Sequence, residues 1–324
     1  MHFANWSRCE GVSVASICDR NPDVLKDPDK PIGNIDGSAS SVDLSQLHIY
    51  SDPAEMLQSE RLDAVSVTLP THLHAAVSIR AFEAGVHVLC EKPMALTTAE
   101  CDAMIAASRS SGKHLMIGHC IRFWPEYVMA KEIIDSGRYG RVLAATFQRL
   151  SAAPTWSGGN WLMDDRRSGG MVLDLRIHDS DYVQYVFGMP DAVCSHATVQ
   201  GQNIVHIQTH YDFGGRQAIC AEGSWAASPS FGFEMSFNIM LERAALVYDC
   251  TRQPAFRICP AEGKAFTPPV AAGDGYAREI SYFTALIQGK NKTEVLTPAQ
   301  SKDSVRLIEA ERRSALEGRK IAIK

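Results

Sequence analysis

The chain has 324 residues, 45% hydrophobic and 21% charged, with a formal net charge of −5 at neutral pH. That balance is normal for a folded globular protein and argues against a disordered chain. With no long basic run and no segment long and apolar enough to span a bilayer, neither nucleic acid nor membrane is an expected partner.

The nine cysteines are scattered, odd in number and without a CxxC pair. They read as reduced, mostly apolar residues, and a cytoplasmic location is the expectation. The first ten residues hold no apolar core of a signal peptide.

In chain order, Met1 to Arg8 reads as the tail of an amphipathic helix. A strand is expected from Val12 to Cys18, ending at Asp19, where an acid can accept hydrogen bonds from ribose hydroxyls or simply form a turn. Pro22 to Asp43 reads as a helix fragment plus loop. A short strand from Leu47 to Tyr50 precedes a helix started by Asp52-Pro53-Ala54-Glu55, an acid cap with proline at the first position. Strands at Asp63–Leu69, Val86–Cys90 and Leu115–Gly118 alternate with helices, the first stopping at Gly85 and the second started by the capping box Thr97-Thr98-Ala99-Glu100. Alternation at this spacing predicts a parallel sheet with right-handed crossovers.

The pattern changes near Arg122. After a helix from Pro125 to Gly137, strand-like stretches recur at 142–150, 192–199, 205–213, 217–225, 236–240 and 244–249, which suits a mostly antiparallel sheet. One long helix, about Gly170 to Phe187, interrupts them, and a last helix runs from Thr297 to Gly318. The expected fold is therefore α/β: a Rossmann-type parallel domain over 1–121, then an α+β domain with a large, mostly antiparallel open sheet over 122–324.

Two short segments carry chemistry. Glu91-Lys92-Pro93 closes a buried strand, and open α/β sheets place their chemistry just beyond such ends. The proline holds Lys92 extended, with its ammonium at the mouth of the sheet. On the interrupting helix Asp174 and His178 are four residues apart and project from one face. The imidazole can take or give a proton while the carboxylate orients it or holds a substrate. Taken singly, each segment also fits a plain structural reading: a charged strand end, and a surface pair. His72-x-His74 lacks the companions of a metal site, and His206 and His210 lie too far apart on a strand to clamp one ion, so no metal site is expected.

The segments Ile17-Cys18-Asp19-Arg20, Thr68-Leu69-Pro70-Thr71-His72-Leu73-His74, Glu91-Lys92-Pro93-Met94-Ala95, Arg122-Phe123, Trp161, Ser168-Gly169-Gly170 and Asp174-Leu175-Arg176-Ile177-His178 together resemble the Gfo/Idh/MocA oxidoreductases, the family of glucose-fructose oxidoreductase and inositol dehydrogenase. The resemblance implies a nicotinamide cofactor on the first domain and a sugar or polyol held against the second. It implies Lys92, Asp174 and His178 as the catalytic set. It implies Asp19, Arg20, Thr68, Leu69, Pro70, Thr71, His74, Glu91, Lys92 and Arg122 around the cofactor, and Trp161 beside the substrate with the catalytic three. NAD is expected from Asp19, whose charge repels a 2′-phosphate, while Arg20 could accommodate NADP. A homodimer or homotetramer is expected through the open sheet. A non-catalytic sugar-sensing or partner-binding member and an NAD-dependent glycosidase are the alternatives.

One departure stands out. Family members begin with a strand and a G-x-G-x-x-G loop that holds the pyrophosphate, and this sequence has neither; Met1–Trp6 resembles the helix that follows the loop. Roughly 15–20 residues are therefore expected upstream. Without that central strand two sheet edges would face a gap, and weak or absent cofactor binding is expected.

Overall fold

The computed structural model describes residues 1–21, 45, 47–291 and 294–323. The helix fragment and loop expected over Pro22–Asp43 lie outside them. The chain divides into two compact units, Met1–Cys120 with Asp274–Lys302, and Ile121–Gly273 with Asp303–Lys324.

In the first unit α1 (His2–Trp6) leads to β1 (Ser16–Cys18), which pairs in parallel with β2 (His48–Tyr50). The ladder of β1 starts only at Ser16, because its partner is three residues long. α2 (Pro53–Ser59) begins where the Asp52 carboxylate accepts the Ala54 N–H, as the cap signal predicts. β3 (Ala64–Val67), β4 (His87–Glu91) and β5 (Leu115–Gly118) form a second parallel ladder. Val88, Leu89 and Cys90 of β4 have no exposed surface, as an apolar run covered on both faces requires. α3 (His74–Glu83) and α4 (Thr98–Ser111) are the crossovers. Thr97 and Glu100 cap α4 reciprocally, and Gly112, at φ 68°, ends it in the left-handed region.

In the second unit α5 (Pro125–Asp135) precedes β6 (Val142–Ser151), and α6 (Asp165–Ser168), α7 (Gly170–Asp174) and α8 (Ile177–Phe187) precede the strands β7 (Ala192–Gln200), β8 (Asn203–Asp212), β9 (Ala218–Ser224), β10 (Phe233–Leu241), β11 (Ala244–Asp249), β12 (Phe256–Pro260) and β13 (Ile321–Ala322). These join β6 in one eight-stranded sheet of order β12-β11-β10-β6-β9-β8-β7-β13. Every neighbouring pair is antiparallel except β6 with β9. Strand alternation gives the sheet two faces. Ala145, Phe147, Arg149 and Ser151 of β6 are buried, where Tyr127 of α5 and Tyr182 of α8 join Phe147 and Phe237 in an edge-to-face cluster. His196, Gln208 and His210 point to the other, exposed face.

After β12 the chain returns to the first unit with α9 (Gly275–Ile287), capped by Asp274, and then enters α10 (Pro298–Glu317). Trp6 of α1 meets Phe283 of α9 edge-on, with ring centroids 6.2 Å apart. Neither α9 nor β12 was expected from the sequence. The segment between them is rich in Gly and Pro, and it hides the short apolar patterns on either side.

Candidate active site

Because β3, β4 and β5 are parallel and in register, their carboxyl ends lie on one edge, with Val67 beside Cys90 and Cys90 beside Ile117. Thr68–Thr71, Glu91–Pro93 and the residues after Gly118 leave the sheet there. His74 braces this edge. Its Nδ1 lies 2.8 Å from the Pro93 carbonyl and its Nε2 2.7 Å from the Leu69 carbonyl. Burial holds its pKa below the ordinary imidazole value, although both carbonyls pull the other way. A neutral ring has one N–H, so it donates to one of the two carbonyls at a time. At 1% exposure the ring ties the Pro70 turn to the Lys92 turn. Thr71 is 2% exposed, and its hydroxyl has no hydrogen-bond partner among the described residues.

Glu91 is half-buried and bonded to His2, with Nε2 to Oε1 at 2.7 Å. Burial pushes its pKa up, but the His2 imidazole and the Lys92 ammonium outweigh that and hold it below the ordinary carboxylate value. Lys92, half-buried, follows directly, before a cis bond to Pro93. Asp19 leaves the other ladder after β1; its Oδ1 accepts the Asn21 N–H at 2.8 Å, the turn-forming bond of a strand end, and Arg20 is exposed.

In the second unit, every residue from Ser168 to Gln184 is buried except Asp174 and His178. The single helix expected over this stretch is two. α7 ends at Asp174 and α8 begins at Ile177; the Leu175 N–H still reaches back four residues to Met171, but the Arg176 N–H reaches back five, to the same carbonyl. This widened turn carries Arg176 into the core. The guanidinium of Arg176 bonds the Tyr211 hydroxyl and lies 3.6 Å from Glu311, and its stem covers Gly223, where a Cβ would come within 2.8 Å.

Buried charges fix the neighbouring residues as well. Arg149 of β6 makes two hydrogen bonds to Asp179, and Arg122 makes two to Asp181, which also accepts the Ser304 hydroxyl. Ser180 donates to Glu311. Residues on either side of Asp174 and His178 are thus held by partners on β6, β8 and α10, and the two side chains themselves are half-buried. The α7 entrance is similarly constrained: Gly169 (φ 77°) and Gly170 (φ 70°) are left-handed, and a Cβ on Gly170 would come within 2.4 Å of the Asp165 carboxylate.

Arg122, expected at the cofactor, is 1% exposed, paired with Asp181 and lying over the Tyr185 ring at 4.4 Å. Trp161, half-buried, lies in the turn-rich stretch 158–163, which is kinked just before it at Gly159 (φ 60°) and Asn160 (φ 51°). The pinning residues Arg149, Arg176, Asp179 and Glu311 escaped the sequence reading. Arg149 alone left a trace, since strand alternation puts it on the apolar side with Phe147. His206, set aside as a metal ligand, lies 3.5 Å from Glu222.

A parallel-sheet domain whose strand ends carry an acid, an amine and a proline is followed in this chain by a large, mostly antiparallel sheet. The family model for an oxidoreductase family with an NAD-binding Rossmann fold matches residues 2–119, and that for the GFO/IDH/MocA C-terminal domain matches residues 127–247. The chain belongs to the GFO/IDH/MocA oxidoreductase family. It is 33% identical over 159 residues to 2,7-anhydro-N-acetylneuraminate hydratase of Mediterraneibacter gnavus, covering 49% of this chain and 41% of that one. It is 27% identical over 279 residues to inositol 2-dehydrogenase of Rhizobium meliloti, covering 81% of each. Its fold matches that of aldose-aldose oxidoreductase from Caulobacter crescentus with a TM-score of 0.82 at 22% identity, covering 99% of this chain and 95% of that one. Against several relatives, the hydratase among them, the matched stretch spans less than half their length.

Proposed function

We propose that this protein is an NAD-dependent dehydrogenase or reductase, with NADP as a possible substitute, acting on a secondary alcohol or ketone of a sugar, sugar derivative or cyclitol. The observation that carries the proposal is that Asp174 and His178, four residues apart, are the two half-buried side chains in a stretch, 168–184, that is otherwise buried. A proton-transfer group works best when its neighbours cannot relax.

NAD, when bound, would accept a hydride from the carbinol carbon. His178 would take the alcohol proton, and Lys92 would stabilise the negative charge developing on that oxygen. Asp174 would bind a neighbouring hydroxyl and orient His178. In the reductive direction the same groups return the proton. Asp19, Thr68–Thr71 and Glu91 would meet the cofactor; the unpartnered Thr71 hydroxyl at the strand edge suits such a contact. Trp161 would line the substrate side, and loop residues such as Ser151–Asn160 would select the sugar.

The exposed sheet face, with His196, Gln208 and His210, suits a homodimer or homotetramer, checked by light scattering at micromolar concentration. None of the nine cysteines is in a disulfide, which suits the cytoplasmic setting expected from the sequence. Among the described residues no helix is long and apolar enough to cross a membrane.

The test is a panel of sugars and polyols with NAD and NADP, read by net formation of the reduced cofactor. With cofactor supplied in the millimolar range, to offset the weak binding expected of this chain, turnover on at least one cyclitol or aldose, lost in Lys92→Met and His178→Asn, is the expected result. Binding of a sugar without net reduction would favour a sensing role or a transient-redox glycosidase.

A further inference from the structure

Where α1, β4 and α9 meet, three side chains of metal-ligating type face one point. The candidate ligand atoms of His2, Glu91 and Glu279 all lie within 4.8 Å of one another. Glu279 has no exposed surface, and neither of its carboxyl oxygens has a hydrogen-bond partner among the described residues. A buried polar group without a partner is costly, and a buried carboxylate without one far more so. Glu91 is already served by His2 and by the Lys92 N–H. Burial first, and then the repulsive charges of Glu91 and Asp274, push its pKa well above the ordinary carboxylate range. This pocket is arranged to welcome positive charge.

We propose that His2, Glu91 and Glu279 bind a divalent first-row metal ion of the zinc or manganese class. Two carboxylates and a dication sum to neutrality, which removes the cost of burying Glu279 ionised. One imidazole and two carboxylates suit such ions better than magnesium, which favours oxygen ligands and keeps several waters. Three protein ligands would leave a position open to water. Donor atoms on one such ion lie roughly 3–4 Å apart, so small rotations of the two flexible glutamates close the site.

The shell behind the imidazole is already present. The Ser66 hydroxyl lies 3.2 Å from His2 Nδ1 and accepts the Trp6 indole N–H at 2.7 Å. With Nε2 given to the metal, Nδ1–H would donate to Ser66, the orienting bond that ligating histidines commonly make. The site lies beside Lys92, but its existence does not depend on the dehydrogenase reading.

The experiment is calorimetric titration of the full chain, stripped with EDTA, with manganese chloride and, separately, zinc chloride. About one ion per chain is expected. Affinity should fall at least about tenfold in Glu279→Gln and in His2→Gln, since even an outer-shell change typically costs that much. Manganese guards against binding to the free cysteines, which favour softer ions. No uptake by the wild-type chain at micromolar ion would overturn the proposal, as would equal affinity in both variants. Should Glu279→Gln fail to fold, His2→Gln on the short helix α1 decides the matter.

Discussion

The two halves of the candidate machinery are built differently. The strand-end groups of the first unit come from topology: three parallel strands in register deliver Thr68–Thr71 and Glu91–Pro93 to one edge, and the braces are few, with His74 the main one. The Asp174–His178 segment of the second unit owes its position to buried ion pairs on three elements, Arg149–Asp179, Arg122–Asp181 and Arg176–Glu311. A parallel sheet presents its residues by construction, whereas a broken helix must be pinned from outside. The first arrangement leaves room for charge to be tuned. The second trades adaptability for a fixed angle.

If this contrast is right, the largest effect should fall on turnover. His178→Asn or Lys92→Met is expected to lower kcat roughly 10²–10⁴-fold with little change in thermal midpoint, read by steady-state kinetics and a melting curve. Next, Arg149→Leu should destabilise the second unit by about 3–5 kcal/mol, because it strands Asp179 inside the core. Replacing both partners, Arg149→Met with Asp179→Leu, should recover most of that loss in denaturant titration. A double variant as unstable as the single one would break the comparison.

Gly170→Ala should cost about 1–3 kcal/mol, since the residue is left-handed and its Cβ would strike Asp165, itself held by Arg312 at 2.7 Å. In the first unit the sharper test is pH. The folded-state pKa of Glu279 is raised, so in metal-free protein the folded chain holds a proton that the unfolded chain has lost. That contribution is complete below the ordinary carboxylate range and disappears as pH rises through the folded-state value. Melting temperature against pH should therefore fall in that window for the wild-type chain and be flatter for Glu279→Gln. The smallest change is Thr97→Ala, about 1 kcal/mol from the lost capping box of α4, visible in the same melts.

Much of this architecture was legible in the residues. Alternating apolar runs and capping boxes set out the parallel half, and period-two patterns set out the antiparallel half; Lys92 was visible as a strand-end residue and Asp174 and His178 as a four-residue interval, while their grouping as one set came from the family resemblance. These are local signals: a cap, a strand run or a four-residue interval is written within a few positions. The return of α9 to the first unit, the widened turn at Arg176 and the choice of partners among the three buried arginines and three buried acids were not legible. Each depends on residues distant in sequence, as with His2, Glu91 and Glu279, and a charge reads as solvent-facing until the fold shows what lies against it. The chain's own order determined which elements form. Only the tertiary structure decided which charges are buried together, because burial and ion pairing are properties of neighbours in space.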